Sequence, residues 1–107
     1  MIEKEYLYRI TDSKIIERII SDDNVGINHM VLQKSDELPV HCSNSNVYLI
    51  IVRGKLTISL NEQKPVSYSV GNIINVPYKI NMHIYNEQDD ILEFFVVKSP
   101  SPKFMKS

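Results

Sequence analysis

Along most of the chain, apolar and polar residues alternate in short bursts rather than at helical spacing. Ile27 to Leu32, Val47 to Val52, Leu56 to Leu60, Ser67 to Val70, Ile73 to Val76 and Ile91 to Val97 are short apolar-rich runs with many β-branched residues. Gly54, the Asn61-Glu62-Gln63-Lys64-Pro65 stretch, Gly71, Pro77 and Asn86 to Asp90 fall between them or at their ends. Short runs bounded by turn-forming residues read as strands. Their succession predicts an antiparallel all-β sandwich or barrel with at most one or two helical turns. Because successive strand residues point to opposite faces, Leu49, Ile51, Ile58 and Ile74 are expected to line one inner core.

Two segments do not fit this pattern. In Ser13 to Ile20, SKIIERII, the isoleucine pairs recur at both helical and extended spacings, so periodicity does not fix the element type. The ending SPSPKFMKS carries two prolines and no periodicity and is expected to be a loosely held terminus. The expected organisation is a lead-in element over 1–25, a barrel over 26–98 and a flexible tail over 99–107. Within the strands both faces are apolar: Val47, Leu49 and Ile51 on one, Tyr48, Ile50 and Val52 on the other. A lone barrel needs only one, so the second predicts burial against a partner sheet or a second subunit, a homodimer.

At 107 residues the chain suits one domain with its own core. Twelve Lys and Arg against thirteen Asp and Glu leave a net charge of -1, with no basic excess to neutralise phosphates, which argues against nucleic acid as a partner. The start Met1-Ile2-Glu3-Lys4-Glu5 is charged, and no apolar run approaches the roughly 18 residues of a membrane span. No membrane association is expected. The single cysteine, Cys42, cannot form an intrachain bridge, in keeping with a reducing, cytoplasmic location.

The segment from Leu38 to Asn86 resembles the paired motifs of the cupin superfamily, small double-stranded β-helix (jelly-roll) barrels. That family's first motif, H-x-H, three or four residues, E, six residues, G, falls on His41, Ser43, Val47 and Gly54. Its second, G, five residues, P-x-G, two residues, H, three residues, N, falls on Gly71, Pro77, Lys79, Met82 and Asn86. The turn glycines and one histidine are kept, while the second histidine, the glutamate and the third histidine are replaced by Ser43, Val47 and Met82. The resemblance implies a cupin-like barrel that commonly pairs into dimers. Catalytic metal sites take three or more His, Cys, Asp or Glu ligands. One imidazole, a neutral hydroxyl, a valine and a thioether therefore predict no tightly held transition metal and no cofactor.

Within that frame His41, Ser43, Val47 and Met82 are expected to share an inward face and to bound a mostly apolar ligand-binding pocket, or equally a filled core. His41 reads as a ligand contact or general base, or as a histidine hydrogen-bonded at the barrel mouth. His83, next to Met82, is expected to point outward unless a bulge shifts the register. His29 has no carboxylate near it in sequence and reads as a satisfied structural or surface histidine. Cys42 alternates with His41 and Ser43 and is expected to face away from the pocket. Asn44 and Asn46 belong to turn chemistry or to the pocket rim. Tyr48 and Tyr85 suit the sheet exterior or an interface.

The chain has no Gly-rich phosphate loop, CxxC pair, paired catalytic carboxylates or nucleophile elbow. The leading expectation is a metal-independent small-molecule-binding protein, a sensor or carrier whose ligand the sequence does not identify. The alternatives are a cupin-type enzyme using His41, whether isomerase, lyase or metal-dependent oxygenase, and a dimeric structural or interaction module.

Overall fold

The computed structural model describes residues 1–105. Its strands are β1 (Ile15–Ser21), β2 (Gly26–Leu32), β3 (His41–Cys42), β4 (Val47–Arg53), β5 (Lys55–Leu60), β6 (Val66–Ser69), β7 (Ile73–Val76), β8 (Asn81–Tyr85) and β9 (Leu92–Lys98). One 3-10 turn, Pro102–Phe104, is the only helical element among the described residues. No helix is long and apolar enough to cross a membrane.

The strands form a five-stranded sheet in the order β1-β2-β9-β4-β7 and a four-stranded sheet in the order β3-β8-β5-β6. All pairs are antiparallel. The two sheets enclose one core that includes Leu32, Leu49, Leu56, Leu92 and Phe94, all fully buried, as the alternating pattern requires. Of the four residues expected inward, Leu49, Ile51 and Ile58 are buried and Ile74 packs against the core half-buried. This is the double-stranded β-helix that the motif spacing implied.

At the corner between β4 and β5 the chain passes from one sheet to the other through Gly54, with φ of 81°. A Cβ there would lie 2.2 Å from the Ile91 carbonyl oxygen, so glycine is needed both for the left-handed backbone and for the close approach. Lys79, at the third glycine position of the family pattern, adopts a left-handed φ of 66° without being glycine. Asn86 is buried, and its amide donates to Leu32 O at 3.2 Å and Asp90 O at 2.8 Å while its Oδ1 accepts from Gln88 N at 3.0 Å. The asparagine of the second motif thus organises the loop that leads into β9.

Both chain ends depart from expectation. The lead-in segment supplies β1, so the five-stranded sheet begins at Ile15 and not at residue 26. The isoleucine pairs resolve as strand because cross-strand pairing with β2 decides what local spacing left open: Ile15 faces Val31 and Glu17 faces His29, with a bulge between Arg18 and Ile20. Upstream of β1, residues 8–12 lie along the outer face of this sheet. Tyr8 stacks edge-on to His29, Arg9 N donates to Glu17, and Arg53 donates to Asp12 Oδ1 at 2.6 Å and Thr11 O at 3.0 Å. The start of the tail contacts the barrel: Ser101 is buried, and Ser45 Oγ donates to Pro100 O at 2.5 Å, while Phe104 is exposed. Lys106 and Ser107, which also belong to the expected flexible tail, lie outside the described residues.

Candidate functional site

His41 and Met82 are cross-strand partners on β3 and β8, so their side chains share a face. They border a small cavity of about 60 Å3 at one end of the barrel, together with Leu49 on the opposite sheet. Since a water molecule's share of liquid volume is about 30 Å3, the space is small and the rest of the interior is largely filled by side chains. His41 stands at the mouth, exposed, and its Nδ1 lies 3.1 Å from Pro39 O. A carbonyl can only accept, so Nδ1 carries the proton, and in the neutral ring the lone pair sits on Nε2. Both readings of His41 therefore meet in one side chain: it is hydrogen-bonded at the mouth and it borders the cavity.

Ser43 and Val47 do not border that cavity. Val47 is fully buried in the core. The strand β3 is only two residues long, so the alternation expected to carry Ser43 inward ends at Cys42. Ser43 turns into the loop instead. Its Oγ donates to Pro77 O at 2.6 Å and accepts from Ile80 N at 2.9 Å, while its backbone bonds Ile80 O and Lys79 N. The hydroxyl that replaces the family's second histidine has become a backbone staple.

The mapped positions do not suit a transition metal. One imidazole, a hydroxyl already engaged twice, a buried valine and a buried thioether fall short of the three strong donors that such a site requires. Among the described residues no other group of three His, Cys, Asp or Glu side chains is placed to hold a metal ion.

The other candidates lie elsewhere. His83 points outward, with Nε2 3.1 Å from Glu37 Oε1, so no bulge brings it beside His41. Cys42 is exposed. Tyr48 and Tyr85 are half-buried, Tyr85 against the His83 ring. Asn44 lies at the rim, and Asn46 O accepts from Ser99 N at 3.1 Å. His29 is fully buried on the outer face of the five-stranded sheet, with Nε2 2.6 Å from Glu93 and Nδ1 3.6 Å from Glu17. Its Nδ1 has no hydrogen-bond partner, so the ring is only half satisfied, and its carboxylates come from the neighbouring strands β1 and β9, which local sequence does not reveal.

Two polar residues of the cavity had not been singled out: Asn28 on β2 and Lys98 on β9. The signal was available. In β9 the inward positions run Leu92, Phe94, Val96 and then Lys98, and in β2 the series Leu32, Met30 ends on Asn28, so a polar residue at an apolar register position marks the mouth on each strand. Burial, and then the nearby Arg18, hold the Lys98 ammonium below the ordinary lysine value.

No family model matches the chain. An uncharacterized protein of Methanocaldococcus jannaschii is 47% identical over 104 residues, covering 96% of this chain and 90% of that protein. The crystal structure of an RmlC-like cupin family protein with a double-stranded β-helix fold, from the same organism, is also 47% identical; it aligns with a TM-score of 0.92 over 96% of this chain and 95% of that one. A cupin-like protein from Thermotoga maritima aligns with a TM-score of 0.74 at 15% identity, over 79% of this chain and 67% of that one. At that identity the similarity speaks for the fold alone.

Proposed function

The chain belongs to the RmlC-like cupin family, and from that premise we propose that it binds a small molecule at the His41 end of the barrel without using a metal, as a sensor or carrier. The observation that carries this reading is the cavity at the mouth, where His41 and Met82 from one sheet meet Asn28 and Lys98 from the other across an otherwise filled interior. An apolar recess with a few convergent polar groups suits ligand binding. General-base catalysis fits less well, because the hydrogen bond that orients His41 comes from a neutral carbonyl and not from a carboxylate. The reading includes a cytoplasmic location, in keeping with the exposed free thiol of Cys42.

A metabolite library screened by thermal shift tests it. A ligand present at a hundred times its Kd contributes about 2.7 kcal/mol to the folded state, which moves the Tm of a domain this size by roughly 10–20 °C. The expected result is at least one compound that shifts the wild type and shifts His41→Leu much less. If every compound treats the two proteins alike, the reading is lost.

A dimeric form belongs to the same proposal and is favoured by the outer face of the five-stranded sheet. Val52 and Ile73 are exposed there, and the residues upstream of β1 expose Leu7 and Ile10 beside it. The occupant proposed is a second copy of this chain, whose upstream segment would extend the same kind of contact that Tyr8 makes with Phe95. Light scattering at micromolar concentration is expected to give twice the chain mass of 12.4 kDa. A monomeric mass rejects the dimer and leaves the binding reading standing.

A further inference from the structure

Beside the cavity at the mouth, and sharing Asn28 and Lys98 with it, lies a second recess of about 170 Å3. Arg18 on β1 and Asn44 from the loop after β3, both exposed, stand at its rim. The inward register of the five-stranded sheet brings these groups together: Arg18 pairs with Asn28, and Lys98 pairs with Gly26 two residues along β2. Two cations thereby line one recess from the strands on either side of β2. Among the described residues neither Arg18 nor Lys98 has a carboxylate within ion-pair distance, and the Asn28 and Asn44 amides make no side-chain hydrogen bond. Lys103, at the edge of the same recess, lies 3.8 Å from Asp23 and is already answered.

In a chain with a net charge of -1, such a juxtaposition is local and costs energy. Burial and mutual repulsion both disfavour the charged Lys98. An anion seated between the two cations relieves the repulsion and offsets the cost of burial. A cation would be repelled.

We propose that the molecule bound at this mouth is a small organic anion, its carboxylate or phosphate head held by Arg18 and Lys98 and its short apolar part directed into the recess beside His41 and Met82. The inference rests on the small-molecule reading of the same site and adds the chemical class of the ligand. A guanidinium presents a planar fork of donors that fits two oxygens of one head group, while an ammonium contributes a compact charge. The Asn28 and Asn44 amides can donate to the remaining oxygens. Size sets the upper limit: both recesses are well below the roughly 300–1,000 Å3 of sites for drug-sized ligands. A head group with a few carbons fits; a nucleotide does not.

The experiment is a titration of the full chain with sodium phosphate, sodium butyrate and, as the neutral counterpart, butan-1-ol, followed by amide and side-chain NMR. Wild type is compared with Arg18→Gln, Lys98→Met and His41→Leu. All three substitutions fall at exposed or half-exposed positions, and each variant's melting temperature is recorded first. The expected result is saturable binding of butyrate, with shifts at Asn28 and Asn44, and a loss of about tenfold or more in affinity in each of Arg18→Gln and Lys98→Met. Inorganic phosphate, which has no carbon chain, is expected to bind more weakly than butyrate, and butan-1-ol not to compete.

If butyrate binds equally well to Lys98→Met, or if only neutral compounds bind and lose affinity in His41→Leu, the anion inference falls while the binding reading stands. If phosphate and butyrate bind through Arg18 and Lys98 with no response to His41→Leu and no gain from the carbon chain, the anion site stands and the barrel pocket falls. No binding of any probe at millimolar concentration, in a library screen that is also blank, removes both.

Discussion

Truncation of Phe94 to alanine is expected to lower stability by about 3–5 kcal/mol, the range for removing a large aromatic from a close-packed interior. Phe94 is fully buried on the inner face of β9, with Met30 on β2 and Ile51 on β4 as its cross-strand partners. Its ring therefore fills space at the centre of the larger sheet, where flanking strands on both sides prevent collapse onto the gap. Domains of this size are stable by only about 5–15 kcal/mol, so the loss is a large share of the total. It corresponds to a fall in Tm of roughly 15–30 °C. Urea denaturation is the measurement, with the midpoint moving and the slope unchanged. A loss below about 1 kcal/mol would mean that Phe94 is not the packing centre described above.

Gly54→Ala is expected to rank next, at about 3 kcal/mol, through an unrelated cause. A left-handed backbone costs a residue with a Cβ roughly 1–2 kcal/mol, and the methyl would meet the Ile91 carbonyl oxygen at 2.2 Å, far inside contact distance. Because that oxygen belongs to the main chain, no side-chain rotation relieves the clash, and the β4–β5 corner has to separate from the strand entry at Leu92. Overpacking of this kind adds about 1–3 kcal/mol. Gly71→Ala provides the control. Gly71 also has a positive φ, 99°, but a Cβ there meets nothing within 4 Å, so only the conformational part of the cost applies. Equal losses at the two positions would refute the close-approach argument.

The contrast between these glycines shows what was legible in the chain and what was not. Both could be read as turn residues from their spacing, but only three-dimensional proximity to Ile91 distinguishes the one that bears a second constraint. Strands such as β4 and β9 were legible because their alternation is clean and long enough to fix a face. The segment of β1 was not, because isoleucine pairs satisfy either period until β2 provides a partner. Ser43 was assigned to the inward face on the assumption that β3 continues through it; the strand stops one residue earlier, and the hydroxyl is used on Pro77 and Ile80 instead. Val47 was rightly read as inward, but alternation does not say which inward residues border a cavity: it pairs with Lys98 at the level of the mouth and is fully buried without lining the space. Lys98 and Asn28 were the reverse case, visible as polar breaks in apolar series once each strand's register is respected. The Glu17–His29–Glu93 group was beyond reach, because its members are far apart in the chain and meet only through strand order.

That strand order has a consequence for how the chain reaches its fold. The strand β9 is last in chain order, yet it sits at the centre of the larger sheet, hydrogen-bonded to β2 on one side and β4 on the other. Until Leu92 to Lys98 has been synthesised, β2 and β4 have no strand between them, and their apolar inner faces have no common neighbour. Earlier hairpins such as β1–β2 and β5–β6 can form from local contacts, but the barrel cannot close in stages from its beginning. Ordering the intervening chain before these distant pairings reward it makes folding slow relative to helical domains of the same length. It also leaves the edges of β2 and β4 open to pairing with other chains while synthesis is under way.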